Sequence, residues 1–392
     1  MAYLSKHLMA GFLDNPHASR LRRALFQVHL WVGVIAGLYL LVVCLTGALL
    51  VFRIDLQRAA NPELFVSRGD RPLASPALVL QELRIAYPNG RIAGIDAPTT
   101  SRPSYLAYVV EDRNFRTVLI DPVSAKVLGE LPKTWINILQ SLHFNLLLGR
   151  TGTLVNGIGA LCLLTLCLTG LVIWWQGRRN WWRGFTIRQG SWPQINWDLH
   201  RAAGIWAFIA ILIWALTALS FTFPRQFRSV VQAFSSISVS VAPKSNGANA
   251  DRIEAIPSMD ELLNRASALA PGQYMARVVL PAKPDDSMQI LFARQQPTPA
   301  GSSDFTTIYL DRYTGKQLAA AANAGASAGD LIMQWKAPLH VGSFGGLGIK
   351  LLWAMLGFAP ALLFVTGLIA WWRRVVRPAY AASAARVIRG AG

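Results

Sequence analysis

The chain has 392 residues, 53% of them hydrophobic, and its 38 Lys and Arg against 20 Asp and Glu give a formal net charge of +18. This apolar content exceeds what is usual for a soluble protein, and it is concentrated in four charge-free runs at 30–52, 151–177, 202–224 and 351–372. The sequence has no nucleic-acid motif, and the lack of Rossmann and P-loop motifs argues against an NADPH site or an ATPase. The three cysteines all lie inside apolar runs, which excludes a disulfide framework elsewhere.

Each apolar run is longer than the roughly 20 residues needed to cross a bilayer. Inside lipid the backbone must satisfy its own hydrogen bonds, so each run is predicted to be a transmembrane helix. The alternative, four buried helices of a soluble protein, is disfavoured by their length. In chain order we predict a cytoplasmic tail at 1–28, transmembrane helices at 29–52, 141–177, 200–224 and 339–372, outer modules at 53–140 and 225–338, a cytoplasmic loop at 178–199 and a cytoplasmic tail at 373–392.

Positive charge clusters beside three of the apolar boundaries, at Arg20, Arg22, Arg23, Arg178, Arg179, Arg183, Arg188, Arg373, Arg374 and Arg377. By the positive-inside rule these boundaries are cytoplasmic. Both termini are therefore expected inside and the two long connecting segments outside. The same basic groups are expected to attract the lipid surface.

The two outer segments carry similar secondary-structure patterns. In the first, Ser75 and Pro76 open a helix that runs to Tyr87, followed by alternating strands at 91–97, 105–110 and 115–120. In the second, a helix from Ser258 to about Ala270 precedes strands at 274–280, 289–293 and 306–310, with a flexible loop at 294–304 and a linker at 319–330. Each segment is predicted to be a small α+β module, a helix on an antiparallel sheet.

The spans also repeat. A Thr-Gly pair follows His143 and His340 by 26 residues, and a Trp-Trp pair follows each by 31. His29 and His200 are each followed by Gly after four residues and by Thr after seventeen. Equivalent spans cross the membrane in the same direction, so the pattern predicts a bundle built from a duplicated two-helix unit as a parallel repeat.

Four of the six histidines lie at span ends, whereas His7 and His17 lie in the polar N-terminal tail. The topology pairs His29 with His200 at the cytoplasmic side and His143 with His340 at the outer side. A single histidine there is most simply an interfacial residue. Four that the repeat places in two tiers are candidate ligands, because two imidazoles can hold a haem b iron from both faces.

Glycine and basic residues near the histidines fit this interpretation. Gly33 and Gly204 leave clearance for a porphyrin edge, although close helix packing uses the same residues. The basic candidates for haem propionates are Arg23, Arg53, Arg150, Arg201 and Lys350, some of which are expected simply to contact headgroups.

The outer pair poses a question of length. A continuous helix from His143 to Trp174 would be about 47 Å long, longer than the hydrocarbon core, so a break near 149–152 is expected. The outer pair then lies at or above the interface. That position suits an electron outlet and also, less well, a metal site without haem.

Several motifs, taken as a set, resemble those of the PepSY-associated transmembrane family. They are the sequence 26–33 (Phe-Gln-Val-His-Leu-Trp-Val-Gly), the sequence 198–204 (Asp-Leu-His-Arg-Ala-Ala-Gly), the two outer Leu-His pairs and the Thr-Gly and Trp-Trp span ends. The resemblance covers residues 21–377 and implies two PepSY-like modules. The histidine ligands of the family carry over to His29, His143, His200 and His340. The first motif departs mildly, with Val28 and Leu30 flanking His29.

The resemblance implies a bacterial inner-membrane ferric-siderophore reductase with two haem b groups. Electrons would pass from a quinol or a cytoplasmic reductase to a ferric siderophore in the periplasm, where reduction weakens the hold of oxygen ligands on iron. Two alternatives remain. A non-redox regulator has no need of paired histidines, and a siderophore permease would usually have broken or polar mid-span helices.

Overall fold

The computed structural model describes residues 19–112, 114–237, 242–246, 256–295, 305–321 and 327–380. Four regions named above lie wholly or partly outside these residues: the N-terminal tail with His7 and His17, the loop at 294–304, the linker at 319–330 and the C-terminal tail. The described helices, in chain order, are α1 (Arg20–Leu50), α2 (Arg53–Ala60), α3 (Pro76–Ala86), α4 (Trp135–Asn145), α5 (Gly149–Trp174), α6 (Trp192–Thr222), α7 (Pro224–Phe234), α8 (Met259–Leu269), α9 (Ala328–Val341), α10 (Gly346–Gly357) and α11 (Ala359–Trp371).

Four helical stretches are long and apolar enough to cross a membrane: α1, α5, α6 and the stretch 346–380 that contains α10 and α11. They pack as a closed ring in the order α1, α5, α6, α11, so that α1 and α6 face each other across the bundle. Large apolar side chains such as Ile35, Trp206 and Met355 point outward and are exposed. An exposed apolar belt of this kind is expected of helices in contact with lipid.

The first and third spans begin earlier than their apolar runs. Ser19 caps α1 by accepting a hydrogen bond from the backbone of Arg22, and α6 begins at Trp192 with a proline in its first turn. His29 and His200 were predicted as the first residues of their spans. They instead lie more than two turns inside their helices, because polar first turns extend each helix beyond the apolar run.

The second and fourth predicted spans are each divided. Helix α4 ends at Asn145, and Leu146 and Leu147 adopt left-handed φ values of 52° and 61° before α5 starts. Helix α9 ends at Val341, and Gly342 with φ of 69° turns the chain toward α10. His143 and His340 therefore lie on short helices that precede the spans, and the first break falls just before the range predicted for it, 149–152.

The strands form one eight-stranded antiparallel sheet in the order β4-β3-β2-β1-β5-β6-β7-β8. Their bounds are β1 (Arg91–Asp96), β2 (Tyr105–Glu111), β3 (Asn114–Ile120), β4 (Val127–Glu130), β5 (Tyr274–Val279), β6 (Met288–Ala293), β7 (Phe305–Leu310) and β8 (Gln317–Ala321). Six agree with the predicted strands to within one residue. The sequence analysis missed β4 and β8, two short strands that follow the turns.

The two predicted modules are fused into one body. Strand β1 pairs with β5, opposing Gly94 to Val279 and Asp96 to Arg277, and the Arg277 guanidinium binds the Asp96 carboxylate through both of its oxygens. Helices α3 and α8 cover one face of the sheet and share a single apolar core. An open strand edge on each module would expose unpaired backbone groups, and the fusion pairs the two edges with each other.

The joint between β1 and β5 leaves no room for a side chain at Gly94. A Cβ there would lie 2.5 Å from the Val278 carbonyl oxygen. We expect Gly94→Val to lower the free energy of unfolding by about 1–3 kcal/mol, the usual cost of overpacking, and to expose the sheet to trypsin. Ala320→Val, at an exposed position of β8, is the matched control. Equal thermal and proteolytic stability of the two variants would contradict the close approach.

Candidate imidazole sites

The four histidines form two pairs, one at each end of the bundle. The ring centres of His29 and His200 are 6.4 Å apart, and those of His143 and His340 are 6.3 Å apart. These are the pairs that the repeat predicts. Each pair joins the two halves of the chain, and the first pair spans the diagonal between α1 and α6.

Each imidazole of the first pair is held by a threonine of a neighbouring helix. The Nδ1 atom of His29 is 2.9 Å from Thr169 Oγ1 on α5, and Nδ1 of His200 is 2.9 Å from Thr366 Oγ1 on α11. Each threonine hydroxyl donates its hydrogen to a carbonyl one turn earlier in its own helix. Its oxygen therefore accepts from the histidine.

The second pair repeats the arrangement. His340 Nδ1 is 2.7 Å from Thr217 Oγ1 on α6, and His143 Nδ1 is 3.2 Å from Thr46 Oγ1 and 2.9 Å from the Val43 carbonyl on α1. A carbonyl only accepts, so Nδ1 of His143 carries the hydrogen. In all four rings the Nε2 atom is then the unprotonated nitrogen, which is the form that binds a metal.

A glycine follows three of the four threonines and gives the ring its space, whereas Ala218 follows Thr217. A Cβ at Gly170 would lie 3.2 Å from Cε1 of His29, and one at Gly367 would lie 3.2 Å from Cε1 of His200. At Gly47 the distance to Cε1 of His143 would be 2.8 Å. The Thr-Gly motif thus has two functions, since Thr supplies the acceptor and Gly the clearance.

The separation of each pair fits one metal ion between two imidazoles. A metal–nitrogen bond of about 2.0 Å on each side, with about 1.1 Å from each nitrogen to its ring centre, places the ring centres roughly 6.2 Å apart. Among the described residues no group of three or more His, Cys, Asp or Glu is arranged to hold a metal ion. A bare zinc or copper ion usually takes more than two protein ligands, whereas a porphyrin supplies four of its own.

A cavity of about 500 Å³ lies at the first pair and is lined by both imidazoles, Gly33, Gly204 and apolar side chains. A Cβ at Gly33 or at Gly204 would be 3.7 Å from the nearest leucine atom, an ordinary contact. Helix packing therefore does not require these two glycines, and both line the cavity. At Gly37 a Cβ would collide with a phenylalanine ring, so this residue does serve close packing.

Two buried donors at this cavity have no hydrogen-bond partner among the residues that the structure describes. These are Nε of Arg201 and Nε1 of Trp371, and both residues line the cavity. The Arg201 side chain is 8% exposed and is held by Asp198 Oδ1 at 3.0 Å and by the Arg183 carbonyl at 2.7 Å. Buried donors without acceptors are costly, and a ligand with anionic oxygens such as haem satisfies them. The residues of the first site therefore fit haem.

The other basic candidates are distributed differently. Arg53 lies near the outer pair, where its Nη1 donates to Gln140 Oε1 at 2.9 Å, one turn before His143. Arg23 and Arg150 are exposed on α1 and α5. Lys350 forms an ion pair of 2.6 Å with an aspartate of α2. Arg201 is thus the predicted arginine that lies directly at the first imidazole pair.

The fold defines a helical membrane protein with one pair of imidazoles at each end of its bundle. The sequence profile of the PepSY-associated TM region matches residues 26–374. The chain belongs to this family and is a multi-pass membrane protein, as the resemblance predicts. Comparison with curated proteins gives no significant match.

Sequence reasoning missed the four threonine acceptors and the indole of Trp371. The signal for the threonines was present, because each lies at a fixed spacing from a histidine of its own half. That spacing identified a repeat without revealing a contact, since the contact depends on which helices are neighbours.

The threonine acceptor provides a direct test of the site. We expect Thr169→Val to weaken haem binding by about 10–100-fold, the usual effect of removing the hydrogen-bond partner of a ligating histidine. Thr165→Val is the control, because Thr165 lies one turn earlier on α5 and bonds only to its own helix. Haem titration of the apoprotein, followed at the Soret band, measures both. Equal affinities would mean that the threonine does not orient the ligand.

Proposed function

We propose that the protein is a dihaem b oxidoreductase of the bacterial inner membrane that reduces ferric siderophores in the periplasm. The proposal rests on the two imidazole pairs, in each of which the ring spacing suits one iron between two Nε2 atoms. Haem b supplies one-electron transfer between its ferric and ferrous states. His29 and His200 hold the inner group, and His143 and His340 hold the outer one.

The topology follows from charge. The arginines beside the first imidazole pair, including Arg201, Arg373 and Arg374, favour a cytoplasmic position for that end by the positive-inside rule. The sheet and the second pair are then periplasmic. The parallel duplication accounts for the matched Thr and Gly partners in the two halves.

The two imidazole pairs lie near opposite ends of α1. His143 contacts Thr46, which is 17 residues beyond His29 on α1, or about 26 Å along the helix axis. Each ferric ion accepts one electron, which originates from a quinol or a cytoplasmic reductase and crosses between the two sites. The ferrous ion is released because the hard oxygen ligands of the siderophore bind it more weakly.

Haem content tests the assignment of ligands. Purified protein from haem-replete cells is expected to contain about two haem b per chain by the pyridine haemochrome assay. His29→Ala and His200→Ala should each remove the same haem, and His143→Ala and His340→Ala the other. A colourless protein would refute the dihaem proposal. Paired behaviour of His29 with His340 would refute the assignment to two ends.

Reoxidation kinetics test the reaction. Dithionite-reduced protein mixed with a ferric siderophore should lose its reduced α-band, and a ferrous chelator should trap the iron released. His143→Ala or His340→Ala should abolish this step, whereas His29→Ala should chiefly slow re-reduction from the donor side. Stopped-flow spectra record both processes. If small soluble oxidants discharge the protein and ferric siderophores do not, the acceptor is not a siderophore.

A further inference from the structure

Basic side chains lie between the sheet and the outer imidazole pair. In the first half, Arg53 follows the end of α1 and donates to Gln140, one turn from His143. It is near enough to Tyr108 and Arg102 on the sheet side to interact with both electrostatically. Arg53 therefore connects the face of the sheet to the helix that carries an outer imidazole.

The neighbouring carboxylate, Asp96, already accepts hydrogen bonds from two side chains. Arg277 binds both of its oxygens, with Nη2 at 2.8 Å from Oδ2, and the Tyr108 hydroxyl donates to it at 3.1 Å. Arg277 is itself 48% exposed, so the cluster is open to solvent. The aspartate is bound by Arg277 and also acts electrostatically on Arg102, so two guanidiniums share this carboxylate.

Arg53 and Arg102 direct their hydrogen bonds to neutral oxygens. Arg102 donates to the carbonyls of Ala97 and Ser104, and Arg53 donates to a glutamine amide. Neutral acceptors compensate none of the positive charge, and Arg102 shares the Asp96 carboxylate with Arg277. Burial lowers the pKa of both arginines because the charged form loses hydration, and an arriving anion would restore part of that loss.

The second half has an equivalent basic group. Lys336 lies one turn before His340 on α9, with its ammonium 5.8 Å from the ring centre of Phe221, and that ring is 5.3 Å from the His340 ring. Arg228 of α7 is an electrostatic neighbour of both Lys336 and Tyr309 on β7. Each outer imidazole is therefore approached by cations from its own half.

We propose that this basic region beneath the sheet, formed by Arg53, Arg102, Arg277, Arg228 and Lys336, binds the metal chelate as an anion. The inference rests on the proposed function and specifies its substrate class as a negatively charged chelate, such as a tris(catecholate), in preference to a neutral trihydroxamate. The charges position the chelate next to His143 and His340, where its iron accepts the electron.

Gallium complexes separate binding from reduction, because Ga(III) forms the same complexes as Fe(III) and is not reduced under these conditions. The protein, as purified, is placed in nanodiscs of phosphatidylcholine, whose headgroups carry no net charge. Calorimetry compares gallium tris(catecholate), a trianion, with neutral gallium tris(acetohydroxamate). The trianion is expected to bind at least about tenfold more tightly, and raising NaCl from about 0.05 M to about 0.5 M should reduce this preference.

Substitutions test which basic side chains bind the trianion. Arg53→Gln and Lys336→Gln should each weaken binding of the trianion about tenfold and leave the neutral complex unchanged. Arg116→Gln is the matched control, because it removes the same charge from a sheet arginine that is compensated by Glu111 and Glu130. Haem content is measured for each variant, and if Arg53→Gln lowers it, Lys336→Gln decides the test.

Three results would overturn the proposal: no measurable binding of the trianion, equal affinity for the two complexes, or a loss in Arg116→Gln as large as that in the test variants. The proposed function fails separately. If reduced protein is not reoxidised by ferric chelates while the gallium trianion binds selectively, the reductase assignment is wrong and the anion site stands.

Discussion

The position of all four imidazoles depends on one kind of hydrogen bond, from histidine Nδ1 to a threonine hydroxyl of a neighbouring helix. Within each half, the first span contributes a histidine to one end of the bundle and a threonine to the other. The bond therefore fixes the tautomer. It also ties the first span of each half to the second span at one end and to the short helix before that span at the other. Nε2 remains as the unprotonated nitrogen, and a pair of such rings from opposite halves forms each candidate site.

The two halves are joined in two ways that do not resemble each other. In the bundle they meet across the imidazole pairs, where a cavity separates the helices at the first site. In the sheet they meet by strand pairing between β1 and β5, with the ion pair of Asp96 and Arg277 across the joint. The continuous sheet joins the halves outside the bundle, and the cavity between the helices is left unfilled.

Similar sites are also supported by different residues. The carbonyl of His143 accepts from Asn156, which in turn accepts from Tyr39. In the second half, the carbonyl of His340 accepts from the Trp214 indole. Carbonyls at a helix end need partners, and each half satisfies them with its own side chains. The aromatic and charged surroundings of the two outer imidazoles therefore differ, although their threonine partners are the same.

The sequence determined the features that are local or periodic. Charge-free runs located the four spans, alternation located six strands, and repeat spacing paired His29 with His200 and His143 with His340. Tertiary structure decided the rest. The match of each threonine to its histidine and the fusion of two sheets into one depend on contacts between residues about a hundred or more positions apart. A local pattern records the residue type at each end of such a contact, and only the packing of helices and strands brings the two ends together.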